Sequence, residues 1–179
     1  MRRSEQAQDG VDWYVLRLGP QDWRDYRDLR LAMLSDAPDA FWTRLADLQP
    51  LTEADWRARS TDRTLHVRGA DGRPVGTLTL LTPDPAKLPG LRADDALVLA
   101  LYVIPAARGR GAVDVLLDAA QALAQGELGA GRLVLHVNEH NARGVAVYRR
   151  HGYEFTGGAL PHPRQPGVRD LEMAKALTQ

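Results

Sequence analysis

Apolar positions along the chain follow two periods, and the alternation between them outlines the elements. Val11 to Leu18 reads as a strand, with Tyr14 and Leu16 alternating against charged or exposed neighbours. Gly19-Pro20 ends it. Gln21 or Asp22 can start a helix through Trp23, Tyr26, Leu29, Arg30 and Met33, which recur at helical spacing. Ser35 to Pro38 breaks that helix. Asp39 is placed to cap a short helix holding Phe41, Trp42 and Leu45, and Thr52-Glu53-Ala54-Asp55 to open another through Arg59. Thr64–Arg68 and Pro74–Leu81 are strands joined by the hairpin turn Ala70-Asp71-Gly72-Arg73. Pro83 to Gly90 reads as a loop.

Ala96 to Val103 (ALVLALYV) is a continuous apolar run between Asp94-Asp95 and Pro105, as expected of a central strand covered on both faces. Gly109 and Gly111 come next, then a helix to about Gln125. Arg132–Val137 is a strand, and Asn141–Arg150 a helix closed by His151-Gly152. Tyr153–Thr156 and Val168–Ala174 are strands around a Pro- and Gly-rich loop with His162 and Arg164. This order predicts an α/β (α+β) domain whose mixed sheet has helices on both faces. Residues 1–10 (MRRSEQAQDG) are polar and expected to be a disordered tail, with residues 11–179 forming a single domain.

Composition narrows the function classes. The 179 residues are 44% hydrophobic and 26% charged, the profile of a soluble globular chain. The formal net charge of zero argues against a nucleic-acid binder working through bulk charge. The only lysines are Lys87 and Lys175. There is no cysteine, so disulfides, thiolate nucleophiles and Cys-ligated metals are excluded. The longest apolar run, Ala96 to Ala107, is too short for a membrane helix, no signal peptide is visible, and a cytoplasmic location is expected. His136 and His140 are four apart, but one falls in a strand and one in a loop, so no metal site is expected.

The segment that carries chemistry is Leu101 to Val113 (LYVIPAARGRGAV). A buried strand runs into a glycine-containing turn and a helix N-terminus. The first N–H groups of a helix lack internal partners and sit at the positive end of its dipole. Glycines let the backbone close on a phosphate. A diphosphate cradle and a plain tight turn both fit this pattern. It is not a P-loop, since it lacks a Gly-Lys-Ser/Thr, nor a good dinucleotide fingerprint, since the third glycine is missing.

At these residues the chain resembles the GNAT N-acetyltransferases. That family has Val-x-Pro ending a strand, then Arg/Gln-x-x-Gly-x-Gly/Ala opening a helix. Here these are Val103-Ile104-Pro105 and Arg108-Gly109-Arg110-Gly111-Ala112-Val113. A second family pattern, Asn-x-x-Ala-x-x-x-Tyr-x-x-x-Gly-Phe, is matched by Asn141 to Tyr153, with Gly144 where Ala is usual and Tyr153 where Phe is usual. The hairpin from Asp71 to Gly76, the first strand and the Trp23-to-Met33 helix also resemble the family.

The resemblance implies a mixed, mostly antiparallel sheet of about seven strands flanked by helices on both faces. It implies an N-acetyltransferase that moves the acetyl group of acetyl-CoA directly to a primary amine of a small molecule or peptide. Backbone groups of Leu101, Tyr102 and Val103 would pair with the pantetheine arm as an added strand does. Backbone N–H groups from Gly109 through Arg110, Gly111, Ala112 and Val113 to Asp114 would hold the diphosphate, and Arg108 belongs to the same motif. Asn141 would contact the CoA arm, and Tyr148 would lie beside the thioester sulfur. A tyrosine hydroxyl can stabilise or protonate a leaving thiolate; otherwise Tyr148 is a packing aromatic. Asp95 falls where some members carry a carboxylate base, and it reads equally well, with Asp94, as a solvated turn carboxylate beside a water relay. Val113 either obstructs the phosphate or packs on the sheet in the stripe Val113, Leu116, Leu117, Ala120 and Ala124. The alternative reading is a non-catalytic CoA-binding module of the same fold; a phosphate-binding α/β protein is a third. The partners implied are acetyl-CoA and an unidentified amine acceptor, without nucleic acid or membrane, and a homodimer is left open.

Overall fold

The structure is a computed structural model that describes residues 4–8, 11–84, 88 and 90–178. In chain order the elements are β1 (Ser4–Gln8), β2 (Val11–Arg17), α1 (Trp23–Asp36), α2 (Leu45–Leu48), α3 (Glu53–Arg59), β3 (Thr64–Arg68), β4 (Pro74–Leu81), β5 (Asp95–Val103), α4 (Ala112–Gly126), β6 (Arg132–Asn138), α5 (Ala142–Arg150), β7 (Glu154–Pro161) and β8 (Arg169–Ala176). The chain divides into two compact units, residues 1–79 with 100–120 and residues 80–99 with 121–179. Strand β5 and helix α4 run through both.

In the first unit the strands keep chain order, β1-β2-β3-β4, each antiparallel to the next, with the end of β5 beside β4. Period-two alternation sorts β2 as far as Leu16, burying Trp13 and Val15 while Asp12 is exposed and Tyr14 and Leu16 are half-buried. Helix α3 starts where Thr52 accepts the Asp55 N–H at 3.3 Å, while the Asp55 carboxylate takes the Thr52 N–H at 2.9 Å. This reciprocal cap is the one that Thr-Glu-Ala-Asp foretells. Trp23, Leu29, Met33 and Leu34 of α1 pack with Leu48, Trp56 and Tyr102 in one apolar cluster. Burial of these large side chains is the main source of stability in this unit.

In the second unit the order is β5-β6-β8-β7. The β5–β6 ladder is parallel and runs from Asp95↔Arg132 to Leu97↔Val134, ending six residues before the end of β5. The β6–β8 and β8–β7 ladders are antiparallel. Leu91, Leu97 and Val134 pack together, with Leu88 and Ala174 against them.

The sheet is mixed and mostly antiparallel, as the sequence implies, with the seven expected strands and one more. The additional strand is β1, which lies in the stretch read as a disordered tail. Ser4–Gln8 pairs antiparallel with Val11–Val15 at the edge of the sheet. The rest of that stretch, residues 1–3, 9 and 10, and residues 85–87 and 89 of the 83–90 loop lie outside the described residues. The expected helix with Phe41 and Trp42 is shorter. Pro38–Ala40 makes one 3-10 turn, and the α-helical turn begins only at Leu45.

Candidate functional site

The strand that ends in Leu101-Tyr102-Val103 is interrupted at Ala100, which has φ +54°, the only positive φ outside glycine among the described residues. A left-handed residue inside a strand bends it and re-aims the residues beyond the bend. At the strand's end, the Ile104 N–H donates to the Val75 carbonyl at 2.8 Å on the β4 side. Because successive residues of a strand turn opposite ways, Tyr102 faces β4 as well. A Cβ added to Gly76 would come within 2.8 Å of the Tyr102 carbonyl, which confirms the close approach. Leu101 and Val103 therefore present their backbone groups to the edge away from β4. Of the three residues expected to offer backbone to an added strand, Tyr102 is the exception. Its ring lies in the apolar cluster, with the Arg108 guanidinium 5.6 Å from the ring centre.

Arg108 is a strut in the turn. Its Nε donates to the Val103 carbonyl at 2.9 Å, and the Asp36 carboxylate at the end of α1 pairs with the same guanidinium. The side chain thus ties strand end, turn and helix end together instead of standing free as a cation. Burial and the nearby Asp36 carboxylate push the Tyr102 hydroxyl above its ordinary range.

After Arg108 the chain turns through Gly109 at φ +73° and Gly111 at φ +85°, conformations that a β-carbon disfavours. Trp13 of β2 anchors the turn by donating its indole N–H to the Arg110 carbonyl at 2.6 Å. Nothing in the glycine motif points to Trp13, ninety-seven residues away. Among the described residues, the N–H groups of Gly109, Arg110, Gly111, Ala112 and Val113 have no backbone acceptor, whereas that of Asp114 donates to the Gly111 carbonyl at 3.0 Å. The expected donor run is thus one residue shorter at its C-terminal end. The structure also shifts the packing stripe of α4. Leu116, Leu117, Ala120 and Ala124 are buried as expected, together with Ala112, Val115 and Leu123, so that Val113, half-buried, lies at the margin of the stripe.

The second motif lies on α5 in the other unit. Asn141 is the N-cap, its side-chain oxygen accepting the Gly144 N–H at 2.9 Å. A Cβ on Gly144 would come within 2.6 Å of the Asn141 amide nitrogen. Tyr148 is half-buried and its hydroxyl has no hydrogen-bond partner among the described residues; burial pushes that hydroxyl up to about 12. Its ring packs edge-on to Tyr153 with centroids 5.9 Å apart.

Asp95 is corrected by the structure. Its side chain is fully buried, and Arg132 binds both carboxylate oxygens, Nε to one and Nη2 to the other, each at 2.8 Å. The Arg92 N–H donates to it at 2.7 Å. Burial alone would raise its pKa, but the arginine bonds prevail and hold the carboxyl below the usual carboxylate range. The carboxylate so held fastens β5 to β6 and is not the solvated turn carboxylate of the other reading. His136 faces Glu172 across the β6–β8 ladder at 3.7 Å, and His162, in the loop between β7 and β8, is buried with its Nδ1 accepting the Arg164 N–H at 3.3 Å. No helix among the described residues is long and apolar enough to cross a membrane.

The structure is thus an α/β protein in which a strand bent by a left-handed residue runs into a two-glycine turn and a helix N-terminus whose first N–H groups lack backbone acceptors. The family model of the acetyltransferase (GNAT) family matches residues 23–153, and the chain belongs to that family. Solved structures agree on the fold. The acetyltransferase of GNAT family from Streptococcus pneumoniae superposes with a TM-score of 0.73 at 18% identity, covering 93% of this chain and 99% of that one. A GCN5-related N-acetyltransferase from Kribbella flavida gives 0.69 at 23% identity, with 92% and 98% covered. The protein yncA of Salmonella typhimurium, solved with its cofactor acetyl-CoA, gives 0.70 at 15% identity, with 100% and 96% covered. No curated protein matches the chain.

Proposed function

We propose that this protein is an N-acetyltransferase that moves the acetyl group of acetyl-CoA directly to a primary amine of a small molecule or peptide, and that residues 11–179 act as one catalytic domain. The observation that carries the reading is the run of five consecutive N–H groups, Gly109 to Val113, left without backbone acceptors by the two left-handed glycines and the start of α4. Such a run fits a diphosphate, which needs several donors converging on adjacent oxygens. The family membership supports the acyl donor, and the yncA structure with acetyl-CoA supports it further.

The residues then take these roles. Leu101 and Val103 offer backbone groups to the pantetheine amides as an added strand would. The Arg108 bond to the Val103 carbonyl keeps that edge straight. Asn141, whose oxygen is committed to the helix cap, has its amide N–H groups left to donate to the CoA arm. Tyr148 gives its proton to the departing thiolate, whose ordinary pKa is near 8.5. The neutral amine attacks the acetyl carbonyl and passes its own proton to water, since Asp95 is committed to Arg132.

Calorimetric titration with acetyl-CoA, then a screen of amines and short peptides for acetyl transfer, tests the reading. Micromolar binding and turnover of at least one amine are expected. Gly111→Val, which forces a branched residue into a left-handed conformation, should weaken acetyl-CoA at least about tenfold, or 1.4 kcal/mol. Binding without turnover on any amine would favour the non-catalytic CoA-binding module, and no binding would refute the proposal.

A further inference from the structure

Arg30 of α1 is a half-buried cation without an acid to meet it. Its Nη1 lies 3.7 Å from the Met33 sulfur, and its Nη2 donates to the Thr43 hydroxyl oxygen at 3.3 Å. Both acceptors are neutral, and no carboxylate joins them among the described residues. Elsewhere the chain pairs such arginines. Arg68 meets Asp25 at 2.6 Å, Arg132 meets Asp95 at 2.8 Å, and Arg27 on the same helix meets Asp28 at 2.7 Å. A charge taken from water and left unpaired costs free energy that an apolar side chain would not. The charge placed here therefore points to an anion that arrives from outside.

The surroundings agree. Apart from the Tyr26 phenol one turn earlier, the charge that acts on Arg30 is Arg59 at the end of α3, a second cation. Burial lowers the Arg30 pKa, yet a guanidinium stays ionised at any working pH. The position also fits an acceptor site. Met33 belongs to the apolar cluster that includes Tyr102 from the end of β5. Phe41 and Leu45, on either side of Thr43, pack against that cluster together with Ala100 and Ile104. Arg30 and Thr43 thus border the same cluster, in the same unit, as the strand end whose Leu101 and Val103 are assigned to the pantetheine arm.

We propose that Arg30 holds the carboxylate of the acceptor, and that the acceptor is a free amino acid whose amine is turned toward the thioester. The inference rests on the reading of the protein as an acetyltransferase. A guanidinium offers its N–H groups in a planar fork that meets a carboxylate through paired bonds. Weak bonds to a sulfur and a hydroxyl leave that fork available. The Thr43 hydroxyl, accepting from Arg30, keeps its own proton to donate to the same carboxylate. A free amino acid carries its carboxylate on the carbon that bears the amine. In a peptide that group is an amide, and an acidic first side chain is then the nearest source of the same charge, so the two sources can be told apart.

The test gives the whole protein acetyl-CoA with the standard amino acids, their carboxamides, and dipeptide amides beginning with Asp or Glu. The best amino acid should show kcat/KM at least about tenfold above its carboxamide and above the dipeptide amides. Arg30→Gln keeps a polar amide and removes the charge. It should raise KM for that amino acid at least about tenfold, leave kcat and acetyl-CoA affinity little changed, and erase the preference over the carboxamide. Its melting temperature should stay level or rise, because an unpaired charge leaves the interior. Equal use of amino acids and carboxamides by the wild type, better use of the dipeptide amides, or an unchanged KM in Arg30→Gln overturns the inference. If acetyl-CoA binds and no amine is turned over, the transferase reading fails by itself. Calorimetry with the amino acids in the presence of CoA then judges the Arg30 site: heat with the wild type and none with Arg30→Gln supports it, and no heat with the wild type overturns it.

Discussion

His66 should make this protein lose stability in mild acid, by an amount the structure fixes. The residue sits in the middle of β3, opposite Leu16 of β2 and Thr77 of β4, and is completely buried. Neither ring nitrogen has a hydrogen-bond partner among the described residues. The Tyr26 ring stacks on it at 6.5 Å, and the charges nearby are Arg68 and Asp25, themselves paired at 2.6 Å. Burial first, then the Arg68 charge, drives its pKa from 6.5 to about 3. The folded value lies below the unfolded one, so between them the unfolded chain binds more protons and stability falls as pH falls. From about pH 7 to pH 5 the loss from this group comes to about 2 kcal/mol, at 1.36 kcal/mol per unit below the unfolded pKa. His66→Leu keeps a side chain of similar bulk and removes both unpaired nitrogens. Urea unfolding at the two pH values should show the wild type losing about 2 kcal/mol more than the variant, with the variant at least as stable near neutrality. Equal losses in both proteins would refute the argument and mean that His66 has a partner, or water, that lets it carry charge.

The site supports four further expectations. Tyr148→Phe should lower kcat about a hundredfold while acetyl-CoA affinity, read by calorimetry, changes little, because the hydroxyl acts only as charge develops on sulfur. Asp95→Asn should cost roughly 3 kcal/mol in urea unfolding near neutrality, since it leaves Arg132 without its charge partner. The Asp95 contribution is present above the unfolded pKa of about 3.9 and fades as pH falls through the lower folded value, and the pH–rate profile should keep its shape. Gly144→Ala should be nearly neutral for stability, a helix-propensity gain of about 1 kcal/mol offsetting loss of the Asn141 cap, but should raise KM for acetyl-CoA several-fold as the Asn141 amide is displaced. Val113→Ala should cost less than about 1 kcal/mol on thermal or urea unfolding, because the side chain is only half-buried.

Much of the architecture is local and therefore readable from the residues in order. β3 and β4 have the predicted bounds, because their limits are set by turn residues and by apolar alternation within a few positions. Thr52 caps α3 three residues from its partner, so sequence spacing alone identifies it. Gly109 and Gly111 mark the turn for a similar reason, since left-handed backbone selects glycine whatever surrounds it. The features that the order of residues could not disclose are decided at long range. Ala100 carries no signal of its left-handed conformation in its residue type. Asp95 looks the same as a base or as a strut until folding brings Arg132, thirty-seven residues on, against both its oxygens. Nothing in the pattern of the first strand sets Trp13 apart until its N–H meets the Arg110 carbonyl. Arg108 reads only as a residue of the glycine-turn motif until Asp36 and the Val103 carbonyl are seen to take its donors. A residue's type states which bonds it can make, and only the packed chain determines which partner makes them first.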